Sequence, residues 1–187
     1  EKYRFLEPLN ERETVSLVRD TATGSILTAR IIHAEQVPTY LRMKGVIIPH
    51  VPVIHDIVQE SENQYIVYAD YIEGSNLSDY LQEHGRCTEK FTISVITQLC
   101  DGLSSLHLLG IVHRDIKPSN VVIGTDGTAW LIDFDISRIE KKKQARDTTA
   151  FGTAGYAAPE QFGFSQSDQR TDLYALGVLM NVMLTGR

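Results

Sequence analysis

The chain has 187 residues, 42% of them hydrophobic and 22% charged, which is enough apolar material for one compact domain or two small lobes with a buried core. Its formal net charge of -6 excludes a binder that works by electrostatic attraction to nucleic acid or to an anionic membrane surface. Cys87 and Cys100 have neither metal-ligand spacing nor the density of a disulfide scaffold, and no apolar run is long enough to span a membrane. The expectation is a cytoplasmic segment with free thiols, no opening signal peptide and no membrane span.

Apolar and polar residues alternate along 3–33 around Thr21-Ala22-Thr23-Gly24, which predicts a β-hairpin of residues 14–19 and 25–32. Residues 34–45, interrupted by Pro38, leave room for only a stunted helix. Two further strands, 51–59 and 64–71, flank the polar turn 60–63. After Gly74 the period changes, and 77–82 reads as a short helix capped by Asn76 or Ser75. In 90–109, Ile93, Ile96, Leu99, Cys100, Leu103 and Leu106 recur at helical spacing, and Gly110 ends the helix. Short strands at 121–123 and 129–132 enclose the turn 124–127, a long polar loop follows, and 172–184 reads as an apolar helix. A β-rich first part and a helical second part, meeting near residues 70–75, make an α+β body of two lobes.

Asp115, Asn120 and Asp133 carry the chemistry. Phosphoryl transfer needs a carboxylate to receive the proton of the attacking hydroxyl, and oxygen ligands to hold Mg2+ against the phosphates. Asp115 and Asn120 are neighbours in one loop, and Asp133 follows a hairpin that returns the chain towards them. Lys117 offers an ammonium where charge develops. The succession His113-Arg114-Asp115-Ile116-Lys117-Pro118-Ser119-Asn120, then Asp133-Phe134-Asp135, then Ala158-Pro159-Glu160 resembles the protein kinase pattern H-R-D-x-K-x-x-N, D-F-G, A-P-E. Lys117 points to the Hanks-type serine/threonine branch.

That resemblance implies a bilobal kinase fold, with a small β-rich N-lobe over 1–70 and a helical C-lobe over 71–187 truncated after its central helix. It implies transfer of the ATP γ-phosphate to a protein substrate, with ATP and Mg2+ as cofactors. By the same resemblance, Asp115 is the catalytic base, Lys117 contacts the γ-phosphate, and Asn120 and Asp133 bind metal. Ala29, Arg30, Asp70, Ile72 and Val122 meet the nucleotide, with Ala69 as a small gatekeeper. Thr148, Thr149, Thr153 and Glu160 belong to the activation segment and substrate platform. His113, Arg114, Phe134 and Asp172 are structural: His113 packs beneath Phe134, and Asp172 braces the catalytic loop. Arg114 is placed to grip a phosphate on Thr148 or Thr149, the plainer reading being a solvated loop.

The pattern also breaks. Where a glycine-rich loop belongs, the chain reads Asn10-Glu11-Arg12-Glu13-Thr14, without glycine and about two residues short. Arg30 replaces the phosphate-pairing lysine, with Glu35 on the next helix as its expected acidic partner. Asp135 replaces the glycine of the metal motif, where unusual backbone angles are expected. The chain ends at Arg187, short of the family's full C-lobe, so Val178, Leu179, Val182, Met183 and Leu184 are expected to be uncovered and open to self-association. Two alternatives stay open: a pseudokinase acting as a nucleotide-binding or scaffold module, and a small-molecule kinase suggested by the Asp133-Phe134-Asp135 pair of carboxylates.

Overall fold

The first hairpin forms where the alternation predicts it. β2 (Val15–Asp20) and β3 (Ile26–His33) pair antiparallel around a turn that Asp20 organises, its Oδ1 accepting from the amides of Ala22 at 2.8 Å and Thr23 at 3.3 Å. The computed structural model describes residues 2–139, 153, 155–162 and 167–187. Its contacts divide the chain into two compact units, one of residues 1–47 and 52–72, the other of residues 48–51 and 73–187. The architecture is α+β.

In the first unit, β1 (Tyr3–Pro8), β4 (Ile54–Gln59) and β5 (Gln64–Asp70) complete a five-stranded antiparallel sheet in the order β1-β2-β3-β5-β4. Val18, Leu27 and Tyr68 are buried on one face, and Tyr3 stacks on Tyr68. α1 (Val37–Met43) is short, as expected, but Pro38 does not interrupt it. Proline stands in its first turn, where no amide donor is needed, and so opens the helix. Strand β4 begins at Ile54 and not at residue 51, because Val51 is buried in the second unit.

The second unit opens with β6 (Gly74–Asn76) and α2 (Leu77–His84), whose cap is Asn76: its side chain accepts from the Ser78 amide at 2.8 Å. α3 (Glu89–Leu108) is capped by Thr88 and followed by Gly110, held at φ 68°. Its buried face is Thr92, Val95, Leu99, Gly102, Leu103 and Leu106, whereas Ile93 and Cys100 are exposed. The expected stripe is therefore rotated by about one position, and Gly102 explains part of the choice. A Cβ there would stand 2.8 Å from the Pro49 carbonyl, so this side of the helix lies directly against backbone.

β7 (Ile111–Val112) pairs with β10 (Arg138–Ile139), while β8 (Val121–Gly124) lies between β6 and β9 (Ala129–Leu131). α4 (Gln169–Thr185) starts with a reciprocal capping box between Asp168 and Thr171. It packs along α3, and Leu179 and Met183 are fully buried. This corrects the expectation that they are uncovered: the side of α4 left to solvent carries Leu173, Tyr174 and Met180 instead. No described helix is long and apolar enough to cross a membrane.

Candidate active site

The loop after β7 is held from below by one carboxylate. Asp172, on the first turn of α4 and fully buried, accepts from the backbone amide of His113 at 2.9 Å through Oδ2 and from that of Arg114 at 2.8 Å through Oδ1. His107, near the end of α3, meets Oδ2 at 2.7 Å through Nε2. Arg114 has φ 72°, a left-handed conformation that costs a non-glycine residue energy, and the two amide bonds hold it there. The carbonyls of the same two residues are also tied down, His113 by the Ser137 hydroxyl and Arg114 by the Gln161 side-chain amide, each at 2.8 Å. Gln161 in turn accepts from the Ala158 amide at 3.0 Å, coupling the Ala158-Pro159-Glu160 turn to the loop.

The His113 ring lies edge-on to Phe134, 4.8 Å between centroids, and its Nδ1 accepts from the Asp115 amide. Complete burial pushes its imidazole below the ordinary histidine value, against the pull of Asp172, Asp133 and Asp115. The ring packs against Phe134 in the buried floor of the loop.

Above this floor, Asp115, Lys117 and Thr153 close a ring. Thr153 Oγ1 donates to Asp115 Oδ1 at 2.7 Å and accepts from Lys117 Nζ at 2.8 Å, and Lys117 Nζ stands 2.9 Å from Asp115 Oδ2. Asn120, at the end of a short 3-10 turn, donates its Nδ2 to the Asp115 carbonyl at 2.8 Å and to Oδ2 at 3.0 Å. Its amide nitrogen is thereby engaged, which leaves the side-chain oxygen as the end that could hold a metal ion. The β8–β9 hairpin brings the chain back: the Ile132 amide donates to the Asn120 carbonyl at 2.9 Å, so Asp133 follows directly beside Asn120. One carboxylate and one amide oxygen suit Mg2+, which takes few protein ligands and completes its shell with phosphate and water. The strained backbone of the metal motif is at Asp133, φ 68°, not at Asp135, so aspartate in the glycine position carries no left-handed strain. The Asp135 amide instead donates to Asp133 Oδ1 at 3.1 Å.

The remaining candidates fall into place unevenly. Ala29 and Arg30 are half-buried in β3, and Val122 is half-buried in β8. Asp70 ends β5 with its amide donated to the Val53 carbonyl at 3.0 Å and its carboxylate held by Val53 N and His55 Nε2. Ile72 lies past the strand, and its backbone amide has no hydrogen-bond partner among the described residues. Glu35 sits exposed in the turn before α1, not on the helix as expected. Glu160 accepts from the Thr171 hydroxyl at 2.7 Å. Thr148 and Thr149, and with them the phosphate proposed for Arg114, lie outside the described residues.

The protein kinase domain pattern matches residues 22–187. The chain belongs to the protein kinase family. It is 37% identical over 139 residues to the serine/threonine-protein kinase PknH of Mycobacterium bovis, an alignment covering 74% of this chain and 23% of the relative. It is 34% identical over 139 residues to a probable serine/threonine-protein kinase of Clostridium perfringens, covering 74% of this chain and 20% of that one. With a probable PknB of Lactococcus lactis it shares 31% over 140 residues, covering 74% and 22%. The chain thus spans less than a quarter of the length of these relatives. The kinase match begins at Ala22, so β1, the turn after it and β2 all precede it. His107, Ser137 and Gln161 are supports that no motif announces.

Proposed function

We propose that this segment is part of a protein serine/threonine kinase that transfers the ATP γ-phosphoryl group to a protein hydroxyl. Asp115 is the base, Lys117 meets the γ-phosphate, and Asn120 and Asp133 hold Mg2+. The carrying observation is the Asp115–Lys117–Thr153 ring. An aliphatic hydroxyl donating to Asp115 at 2.7 Å is the arrangement a substrate serine or threonine has to take for its proton to move to the carboxylate. Lys117 sets a cation beside that oxygen pair, where negative charge builds as the phosphoryl group moves. Asn120 fixes the orientation of the Asp115 carboxylate through Oδ2, so proton acceptance falls to the oxygen that faces Thr153. When bound, Mg-ATP supplies the phosphoryl group and offsets its charge.

On this reading the first unit is the N-lobe and the second is part of the C-lobe, with the Asp70 carbonyl and the Ile72 amide meeting adenine. The two free thiols, Cys87 and Cys100, fit a reducing, cytoplasmic compartment, and the acidic charge fits protein partners and not nucleic acid. Self-association through α4 would use Leu173, Tyr174 and Met180, and light scattering across protein concentration tests it. The kinase reading is tested by 32P transfer from ATP to the protein itself or to a generic protein substrate. Signal that disappears in Asp115→Ala and Asp133→Ala is expected, and no transfer with any divalent metal would sink the proposal. A second reading, a pseudokinase that binds nucleotide or partners without turnover, is favoured by the glycine-free turn. Binding of ATP and Mg2+ in a thermal-shift measurement, without transfer, would select it.

A further inference from the structure

We infer that the turn between β1 and β2 is a poor cradle for the phosphates of a nucleotide, because Asn10 already holds the amides of Thr14 and Val15 on its returning side and the exposed carboxylates at its tip outnumber the one cation. The inference rests on the nucleotide-binding reading above. A phosphate-binding loop works by leaving successive backbone amides unpaired and aimed at the anion, and glycines let the backbone approach. In this chain, Asn10 Oδ1 accepts from the amides of Thr14 at 2.9 Å and Val15 at 3.2 Å, and Asn10 Nδ2 donates to Thr14 Oγ1 at 2.8 Å. The Glu13 amide donates to the Asn10 carbonyl at 3.0 Å, and the Leu9 amide to the Val15 carbonyl at 2.8 Å. Four of the amides around the turn are therefore committed within it. Those of Asn10, Glu11 and Arg12 remain, in a segment where the exposed carboxylates of Glu11 and Glu13 outnumber the one cation, Arg12. Recognition within the first unit then falls on the nucleoside end, at the Ile72 amide.

The test is an amide-resolved NMR titration of the whole chain with Mg-ATP and, separately, with adenosine. The Ile72 amide is expected to shift with both ligands, while the Leu9, Glu13, Thr14 and Val15 amides stay in place. Shifts of Thr14 and Val15 with Mg-ATP but not with adenosine would overturn the inference and leave the nucleotide reading standing. No shift anywhere overturns the nucleotide reading, and this inference with it. Asn10→Ala removes the acceptor from an exposed turn, and unmoved core resonances establish that the fold is intact. The variant is expected to bind Mg-ATP about tenfold more tightly relative to adenosine, roughly the worth of one charge-assisted hydrogen bond. An unchanged ratio overturns the role given to Asn10.

Discussion

Two loops in this chain are shaped by the same device and come to opposite ends. In the β1–β2 turn a single side-chain oxygen, Asn10 Oδ1, gathers two amides. Under the catalytic loop a single carboxylate, that of Asp172, also gathers two. The first acceptor belongs to the loop itself and is exposed, so the two amides it takes are held within the loop. The second comes from a helix 59 residues further on and is buried, so it holds the backbone from behind and leaves the Asp115 and Lys117 side chains in front. Where the organising group stands, inside the loop or beneath it, decides whether an ordered loop can still do chemistry.

The sharpest way to break this contrast is at the reacting end. Asp115→Ala is expected to lower phosphoryl transfer by about a thousandfold or more with the circular dichroism unchanged, within the usual range for a lost general base. Retained activity would remove the catalytic half of the comparison. Next comes the buried acceptor. Asp172→Ala leaves two buried amides without a partner, at about 1–3 kcal/mol each, so urea denaturation should register a loss of roughly 3 kcal/mol or more. Thr153→Ala opens the ring, and a fall of about tenfold in rate is expected, with Thr153→Ser retaining most of the activity. A Thr153→Ser variant as slow as the alanine would mean that the methyl group, and not the hydroxyl, matters.

Acid provides a subtler probe of the floor. Burial lowers the His113 value, so the folded chain keeps the ring neutral at pH values where the unfolded chain, with histidine near about 6.5, takes up a proton. Stability is therefore full above that value and declines as pH falls below it. Urea midpoints measured between pH 7.5 and 5 should fall, and the slope should flatten in His113→Phe, whose ring can still pack on Phe134. The smallest effect is reserved for the exposed acceptor: Asn10→Ala should cost under about 1 kcal/mol of stability, because water satisfies the freed amides. A loss as large as that of Asp172→Ala would erase the distinction between the two loops.

Much of this was readable in advance. The hairpin around Thr21 to Gly24, a helix cap at Asn76 or Ser75, the stop at Gly110 and the α+β order follow from local chemistry, because strands, turns and caps are set by residues a few positions apart. The face of α3 was not readable: Ile93, Ile96 and Cys100 obey the helical period as well as Thr92, Val95 and Leu99 do, and only the backbone approach at Gly102 selects between them. The burial of Leu179 and Met183 is hidden from the sequence for the same reason, since burial of an apolar helix depends on which neighbour it meets. Pro38 reads as an interruption in the sequence because a proline is visible there and its place in the first turn of the helix is not.

The sequence by itself determined the family and the order of the candidate residues Asp115, Lys117, Asn120 and Asp133, because phosphoryl transfer restricts residue types at short spacing. Only the tertiary structure decided which donor meets which acceptor. Thr153 reaches Asp115 across 38 residues, Gln161 reaches the Arg114 carbonyl across 47, and His107 reaches Asp172 across 65. Asn10 shows that even a short-range bond can escape a sequence reading. Asparagine can cap, turn or bind a ligand equally well, and the backbone around it determines which amides come within its reach.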